Sequence, residues 1–469
     1  MEYVSYGAAR FVTGSCHMIK LDSGFTFLLD CGLFQGKGKD IWKWNNEWGF
    51  NPEDIDAVIL SHAHIDHSGR LPKLVKDGFE GVILSTHATR SLCNIMLLDS
   101  AFIQERDVEY YNQKLRRKKQ GKIHNKREAL YTSKDVTRTM ERFMCYPYNH
   151  WIKINDELEL LYTDAGHILG SAAVTLRIKE NGKTTMLGFT ADIGRKERPI
   201  LRDPKPMPEV DYLICESTYG DRVHEGSPAE REHFLNIVKH TCVEKQGKLI
   251  IPAFSVGRTQ EIVYLLDQLE NEGRLPHIPV FVDSPLSVNA TNIYASHPEC
   301  YDKDLIEYLL MDDNPFGFNR LHYIRDTEDS KALNGDDRPM IIISSAGMMN
   351  AGRVKHHLYN NIEDPKNTFL IVGYCTPETP GGKLRAGAKE LRIFGDEKKV
   401  KAEVEIMDSF SAHGDKNEML DFISNQKDRC KIVFLVHGEY DVQKSFRGYL
   451  LQEGFKEVII PQKGQYFKL

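Results

Sequence analysis

The sequence contains no apolar run of about 18 residues, so no segment is expected to span a bilayer. Its opening, MEYVSYGAARFVTGSC, has no basic head followed by an apolar stretch, and no secretory signal is expected. No C-x-x-C occurs: nine cysteines stand singly among 469 residues, several inside apolar runs, which argues against a disulfide framework. A cytoplasmic, reducing location without a membrane partner follows as the expectation. An excess of positive charge is lacking too. With 41% hydrophobic and 27% charged residues and a net charge of −6, the chain is an ordinary globular protein and not a polycation. Any nucleic-acid partner would have to be held by a local patch or by metals. Internal repeats and low-complexity linkers are absent as well.

What is present is an α/β pattern. Short apolar runs rich in β-formers alternate with amphipathic helical stretches. In the first part the runs are FTFLLDCG, DAVILSHA, GVILSTHA, LELLYTDAGH, TTMLGFTADIG and DYLICEST, and polar residues sit repeatedly at their C-terminal ends, where α/β sheets expose working side chains. Beyond about residue 217 the rhythm becomes regular strand–loop–helix, as in KLIIPAFSVGRTQEIVYLLDQL and RPMIIISSAGMMNAGRVKHHLYNN, which predicts parallel strands with crossover helices. From about 405, with VEIMDSFSAHGD and KIVFLVHGE, the first style resumes. The expected organisation is therefore one domain inserted in another: 1–216, 217–406 as the insertion, and 407–469 as the return. One stretch departs from the overall charge. Residues 114–138 carry ten Lys/Arg against two acids, either as a solvated helix face or as a phosphate-binding flank.

The densest chemistry is in VILSHAHIDHSG, where His62, His64, Asp66 and His67 fall within six residues after an apolar strand. In a tight loop, His62 and His64 can converge on one ion while Asp66 and His67 reach a neighbouring one. Imidazole and carboxylate donors suit zinc, or manganese where carboxylate and water dominate. A histidine-rich polar turn is the alternative. Further donors stand at comparable places: His167 in DAGHILGS, Asp192 in GFTADIG and His437 in FLVHGE. Each alone reads as a satisfied turn residue. Together they fit a shared metal, because an unpaired polar group buried at a strand end is costly.

The motifs HAHIDHSG, GHILGS and TADIG, in this order and spacing, resemble the metallo-β-lactamase superfamily. CESTYGDR, PAFSVGRTQE, SSAGMMNAGR, FSAHGD and LVHGE narrow the resemblance to its β-CASP branch of metal-dependent nucleases, over nearly the whole chain. The resemblance implies an αββα metallo-β-lactamase sandwich with an inserted parallel-sheet α/β β-CASP domain. It implies two Zn²⁺ (Mn²⁺ as the alternative), one on His62, His64 and His167, the other on Asp66, His67 and His437, bridged by Asp192. Asp30 would orient the metal loop, with Glu216 and His413 as the acidic and catalytic-histidine motifs and Ser411 near the scissile phosphate. The implied reaction is attack of an activated water on a phosphodiester of single-stranded RNA, with His413 donating a proton to the leaving oxygen and 5′-phosphate and 3′-hydroxyl ends as products.

Histidine at 437 accords with the RNA-processing members of the branch; its DNA-processing members carry an aliphatic residue there. No KH-type module or further C-terminal domain is visible in the sequence, so the compact, endonuclease-like subgroup is expected. Homodimers are common among such proteins. Glycine-rich loops of the insertion, FSVGR, SSAGMMNAG and TPETPGGKL, read either as phosphate cradles or as plain tight turns, with Arg258 and Arg353 as phosphate contacts. The rivals are a 5′→3′ exoribonuclease or DNA nuclease of the same branch, a small-substrate hydrolase on the same metal core, and a non-catalytic RNA-binding paralogue.

Overall fold

The computed structural model describes residues 1–36, 39–117, 127–224, 231–373, 375–407 and 412–469. The chain forms two compact units. The first comprises Met1–Lys196, Asp203–Val223 and His413–Leu469, the second Glu197–Arg202 and His224–Ala412.

The first unit holds two seven-stranded mixed sheets. In one, Glu2–Gly7, Cys16–Lys20 and Thr26–Leu29 run antiparallel, and Ala57–Ile59, Val82–Thr86 and Phe143–Tyr146 continue in parallel. In the other, Leu158–Asp164, Ala172–Glu180 and Lys183–Phe189 form an antiparallel meander, extended in parallel by Tyr212–Cys215, Ile432–Leu435 and Val458–Ile459. Alternation along these strands sends one set of apolar side chains into the space between the sheets. Tyr3, Ile19, Phe27, Leu29 and Ile59 from one sheet pack there against Leu160, Tyr162, Val174, Phe189 and Phe434 from the other. The far face of the second sheet is covered by the helices Lys416–Ile423 and Tyr440–Gln452 through Met419, Phe422, Phe446 and Leu450. Helices Leu71–Lys76, His87–Arg117 and Ser133–Met140 belong to the first-sheet side. This is the expected αββα sandwich.

The second unit is built on a six-stranded sheet that is parallel throughout, in the order Leu321–Ile324, Val280–Asp283, Met340–Ser344, Lys248–Pro252, Thr368–Ile371, Glu403–Ile406. Its central strands, KLIIP, MIIIS and TFLI, are buried along their whole length, as strands covered on both faces must be. The run VEI, the last three residues of the expected insertion, is in the edge strand of this sheet; its alternation of Glu403, Val404, Glu405 and Ile406 suits a half-exposed edge. Among the described residues, no helix is long and apolar enough to cross a membrane.

In the first unit the strands Thr26–Leu29, Ala57–Ile59, Leu158–Asp164, Lys183–Phe189, Tyr212–Cys215 and Ile432–Leu435 end in turns that carry the motif residues. Asp30, Ala191 and His437 have φ of 60°, 50° and 52°, a left-handed conformation that non-glycine residues rarely hold without a reason. Close backbone approach is needed at Gly32 and Gly194. A Cβ at Gly32 would sit 1.6 Å from the Asp66 carbonyl oxygen, and one at Gly194 would sit 1.9 Å from that of Gly166.

Candidate metal centre

Six turns from both sheets deliver their polar side chains to one place in the first unit. His62 Nε2 and His167 Nε2 lie 3.2 and 3.1 Å from His64 Nδ1, and each is 3.4 Å from Asp192 Oδ2. On the other side of the same carboxylate, Asp192 Oδ1 is 3.2 Å from His67 Nε2 and 3.6 Å from His437 Nδ1. His67 Nε2 and His437 Nε2 are 3.1 Å apart, and Asp66 Oδ2 is 3.6 Å from His437 Nε2. Two donor sets result, His62–His64–His167–Asp192 and Asp66–His67–His437, each with its donor atoms within 4.8 Å of one another. The Asp192 carboxylate stands between them.

The outer nitrogens fix how each ring is presented. The Asp30 carboxylate accepts from Ser15 Oγ (3.0 Å), from the Ser61 backbone N–H (2.9 Å) and from Ser61 Oγ (3.1 Å), and lies 2.7 Å from His67 Nδ1. With that nitrogen carrying the proton, His67 turns the Nε2 lone pair inward. Ser61 Oγ, having donated to Asp30, can accept from His62 Nδ1 at 3.0 Å. Thr218 Oγ1 donates to the His437 carbonyl (3.1 Å) and lies 3.0 Å from His437 Nδ1. Ser61 and Thr218 were not among the residues the sequence singled out. Their only signal there was adjacency to His62 and to Glu216.

Several observations test whether this cluster fits a cation. Asp192 is buried, yet its Oδ1 receives no hydrogen bond among the described residues. Burial lowers the pKa of His62, of His64 (to about 3) and of His167, and neighbouring histidines add to the effect. These rings are therefore neutral, with lone pairs available. Burial also works against charge on His67, but Asp192 and Asp30 outweigh it and raise its pKa well above the usual range, so a proton competes with a metal for Nε2. Asp192 itself is held well below the usual carboxylate range; its burial is outweighed by His437, His67 and His62. The field thus asks for positive charge where lone pairs converge. Imidazole nitrogens 3.1–3.2 Å apart are also close to the spacing of about 3.3 Å that two ligands have around a tetrahedral ion with bonds of 2.0–2.1 Å. The residues fit a metal.

A third grouping joins Asp192 to Glu216 and His413. His413 Nδ1 lies 3.4 Å from the Glu216 carboxylate and its Nε2 lies 4.0 Å from Asp192 Oδ2; its side chain is 20% exposed, while Glu216 is 1% exposed. Glu216 accepts backbone N–H groups of Ile193 and Thr218. Burial opposes charge on His413, but Glu216 and Asp192 overcome it and raise its pKa to about 9.

The two arginines expected to contact phosphate are engaged within the second unit. The buried Arg258 guanidinium pairs with Glu261, to which Arg198 also binds. Arg353 donates to Asp283 (2.7 Å) and to the carbonyls of Ile324 (3.3 Å) and Arg325 (2.5 Å). Glu261 stands three residues after Arg258 in the same helix, whereas Asp283 reaches Arg353 from a strand 70 residues away. Ser411 and residues 118–126 of the basic stretch lie outside the described residues.

Comparison with known proteins agrees with this geometry. Residues 9–126 match the metallo-beta-lactamase superfamily, residues 259–384 the Beta-Casp domain, and residues 397–461 the Zn-dependent metallo-hydrolase RNA specificity domain. Ribonuclease TTHA0252 of Thermus thermophilus is 34% identical over 465 residues, covering 99% of both chains. The chain belongs to the β-CASP ribonuclease family. It is accordingly a hydrolase of the nuclease type. Transcription termination factor FttA of Methanosarcina mazei is 31% identical over 94% of this chain and 67% of its own length, and that of Methanocaldococcus jannaschii 32% over 92% and 66%. The β-CASP chain therefore spans about two thirds of those archaeal factors. A crystal structure of a protein of unknown function from Enterococcus faecalis V583 has the same fold, with a TM-score of 0.56 at 12% identity over 100% of this chain and 99% of that one.

Proposed function

We propose that the protein hydrolyses phosphodiester bonds within single-stranded RNA, holding two Zn²⁺ (or Mn²⁺) ions on His62, His64 and His167 and on Asp66, His67 and His437, with Asp192 shared between them. The observation that carries this reading is the Asp192 carboxylate. Its two oxygens face two different donor sets, and a histidine paired with a buried glutamate stands beside it. Bound in such a site, divalent cations act as Lewis acids on phosphoryl oxygen and lower the pKa of water toward neutrality. The chain supplies the rest. Asp30, Ser61 and Thr218 keep the ligand rings in one tautomer and orientation. His413, oriented by Glu216 and partly open to solvent, protonates the 3′-oxygen as its bond to phosphorus breaks. The phosphate then remains on the 5′ end of the downstream fragment and the upstream fragment leaves with a 3′-hydroxyl. The names of the Thermus relative and of the RNA specificity domain favour RNA over DNA, and cleavage within the chain is the proposed mode.

The test is cleavage of RNA and of sequence-matched DNA, labelled at either end and bearing a 5′ hydroxyl, mono- or triphosphate, before and after chelation and zinc repletion. Internal RNA fragments, formed whatever the 5′ end and lost with chelator, are expected. Zinc-dependent turnover of DNA alone, or of neither polymer, would overturn the reading.

A further inference from the structure

Beside the helix Lys39–Asn46 the first unit has a cavity of about 240 Å³ that the reaction does not use. Its walls are aromatic: Tyr6, Trp44, Trp48 and Phe50. Ring centroids are 5.1 Å apart for Tyr6 and Phe50 and 5.3 Å for Trp48 and Phe50. The Trp48 indole is pinned by a 2.7 Å bond from Nε1 to Asp77. Three of the four tryptophans of the chain fall at positions 42, 44 and 48, a concentration that neither sheet's core explains, since none of them is fully buried.

The charges in the cavity are lopsided. Arg70 is buried beneath it, with its guanidinium 4.6 Å from the Trp48 ring and bound to the carbonyls of Gly32 and Trp44. Lys463 also lines it, with its ammonium 4.3 Å from the Trp44 ring. Neither cation forms an ion pair among the described residues, and the carboxylate that lines the cavity, Glu47, acts on Lys463 only as a minor opposing influence. Lys43 has only a 3.8 Å contact to Glu47, with both side chains 61% exposed. Burial, and then repulsion from Arg70, lower the pKa of Lys463 to about 8, so an anion arriving here would relieve an existing cost.

A short chain of contacts leads from the cavity wall toward the candidate metal cluster in the same unit. The Phe11 ring, 39% exposed, packs edge-on against Trp44 at 5.0 Å. The Phe11 carbonyl accepts from the Gly438 N–H at 3.2 Å, one residue beyond His437. Arg70 itself follows the metal-binding loop, three residues after His67.

We propose that this cavity is an accessory nucleotide site that takes one nucleoside monophosphate unit of a single-stranded RNA outside the scissile bond, with its base against the indoles and its phosphate on Lys463 and Lys43. Flat rings give stacking that tolerates any base, and unneutralised cations hold the backbone, as in sequence-independent single-strand binding. The site deepens the ribonuclease reading and rests on it for the identity of the strand.

The experiment uses the full chain and oligoadenylates of 3 to 15 nucleotides. Above a threshold length, Lys463→Gln and Trp44→Ala are expected to raise KM by about five- to tenfold with kcat unchanged. For the longest strand, Lys463→Gln should also reduce the slope of log affinity against log salt by about 0.7. Tryptophan fluorescence of the parent protein should change with long strands and not with the trimer. Lys463→Gln alters one exposed side chain and decides the matter where Trp44→Ala does not fold. Unchanged KM and salt slope in Lys463→Gln, or an effect equal at every length, overturns the site. A parent protein that cleaves no RNA overturns the ribonuclease reading instead, and the fluorescence titration then judges the cavity alone.

Discussion

Two buried aspartates, one in each unit, use the same chemical vocabulary to different ends. Asp283, at the end of Val280–Asp283, accepts from Ser330 Oγ at 2.5 Å and from Arg353 at 2.7 Å, and lies 2.7 Å from His357 Nε2, whose Nδ1 is 2.9 Å from Asn334. Every partner there can bring a hydrogen, so the cluster is complete as it stands. Asp192 is equally buried and also ringed by histidines, but those rings spend their N–H groups on Asp30, Ser61 and Thr218 and turn lone pairs inward. A buried carboxylate with satisfied donors around it ties a fold together. One with acceptors facing it waits for a cation.

The largest way to break this contrast is at Asp192. Asp192→Asn should abolish RNA cleavage and lower the metal content, expected at about two ions per chain in the parent, as read by elemental analysis. Full metal content in the variant would remove Asp192 from the ligands. Next comes His413→Ala, expected to keep its metal while cleavage falls by about 10²–10⁴-fold. Loss of metal there would move His413 into the coordination sphere.

On the other side of the comparison, Asp283→Ala should leave metal content untouched and cost about 3–5 kcal/mol of stability in denaturant unfolding, because Arg353 and His357 lose their buried partner. Burial raises the Asp283 pKa, but His357, Ser330 and Arg353 outweigh it and the net shift is downward. A lowered native pKa means stability that is present above the ordinary carboxylate range and lost as pH falls through the native value. Part of the acid-induced loss of stability in the parent should therefore vanish in Asp283→Asn. The smallest effect belongs to Asp30→Asn, which leaves every ligand in place but loosens the His67 ring. Metal affinity should drop about 10- to 100-fold, measured by competition with a chromophoric chelator, with the apo-protein's unfolding midpoint little changed by comparison.

The strands and the gathering of these side chains were legible in the sequence, because the proposed ligands are bunched where strands end. H-x-H-x-D-H, DAGH, TAD and VHG each follow an apolar run, and the runs became the strands that hold them. Three kinds of information were not legible. Thr218, the partner of the outer nitrogen of His437, lies 219 residues from it, and no local pattern encodes such a pairing. The pairing of Arg353 depended on an acid supplied by another strand, Asp283, 70 residues away. The tryptophans at 42, 44 and 48 drew no reading from the sequence, because the cations beside them, Arg70 and Lys463, are contributed by a distant loop and by the C-terminal segment.

The parentage of the ligands has a mechanical consequence. His62, His64, Asp66 and His67 hang from one sheet, and His167, Asp192 and His437 from the other, so an ion gripped by both rivets the sandwich at its rim. On the proposed ligand set, loading with a metal should then slow proteolysis and amide exchange in the 61–69 and 436–438 turns together.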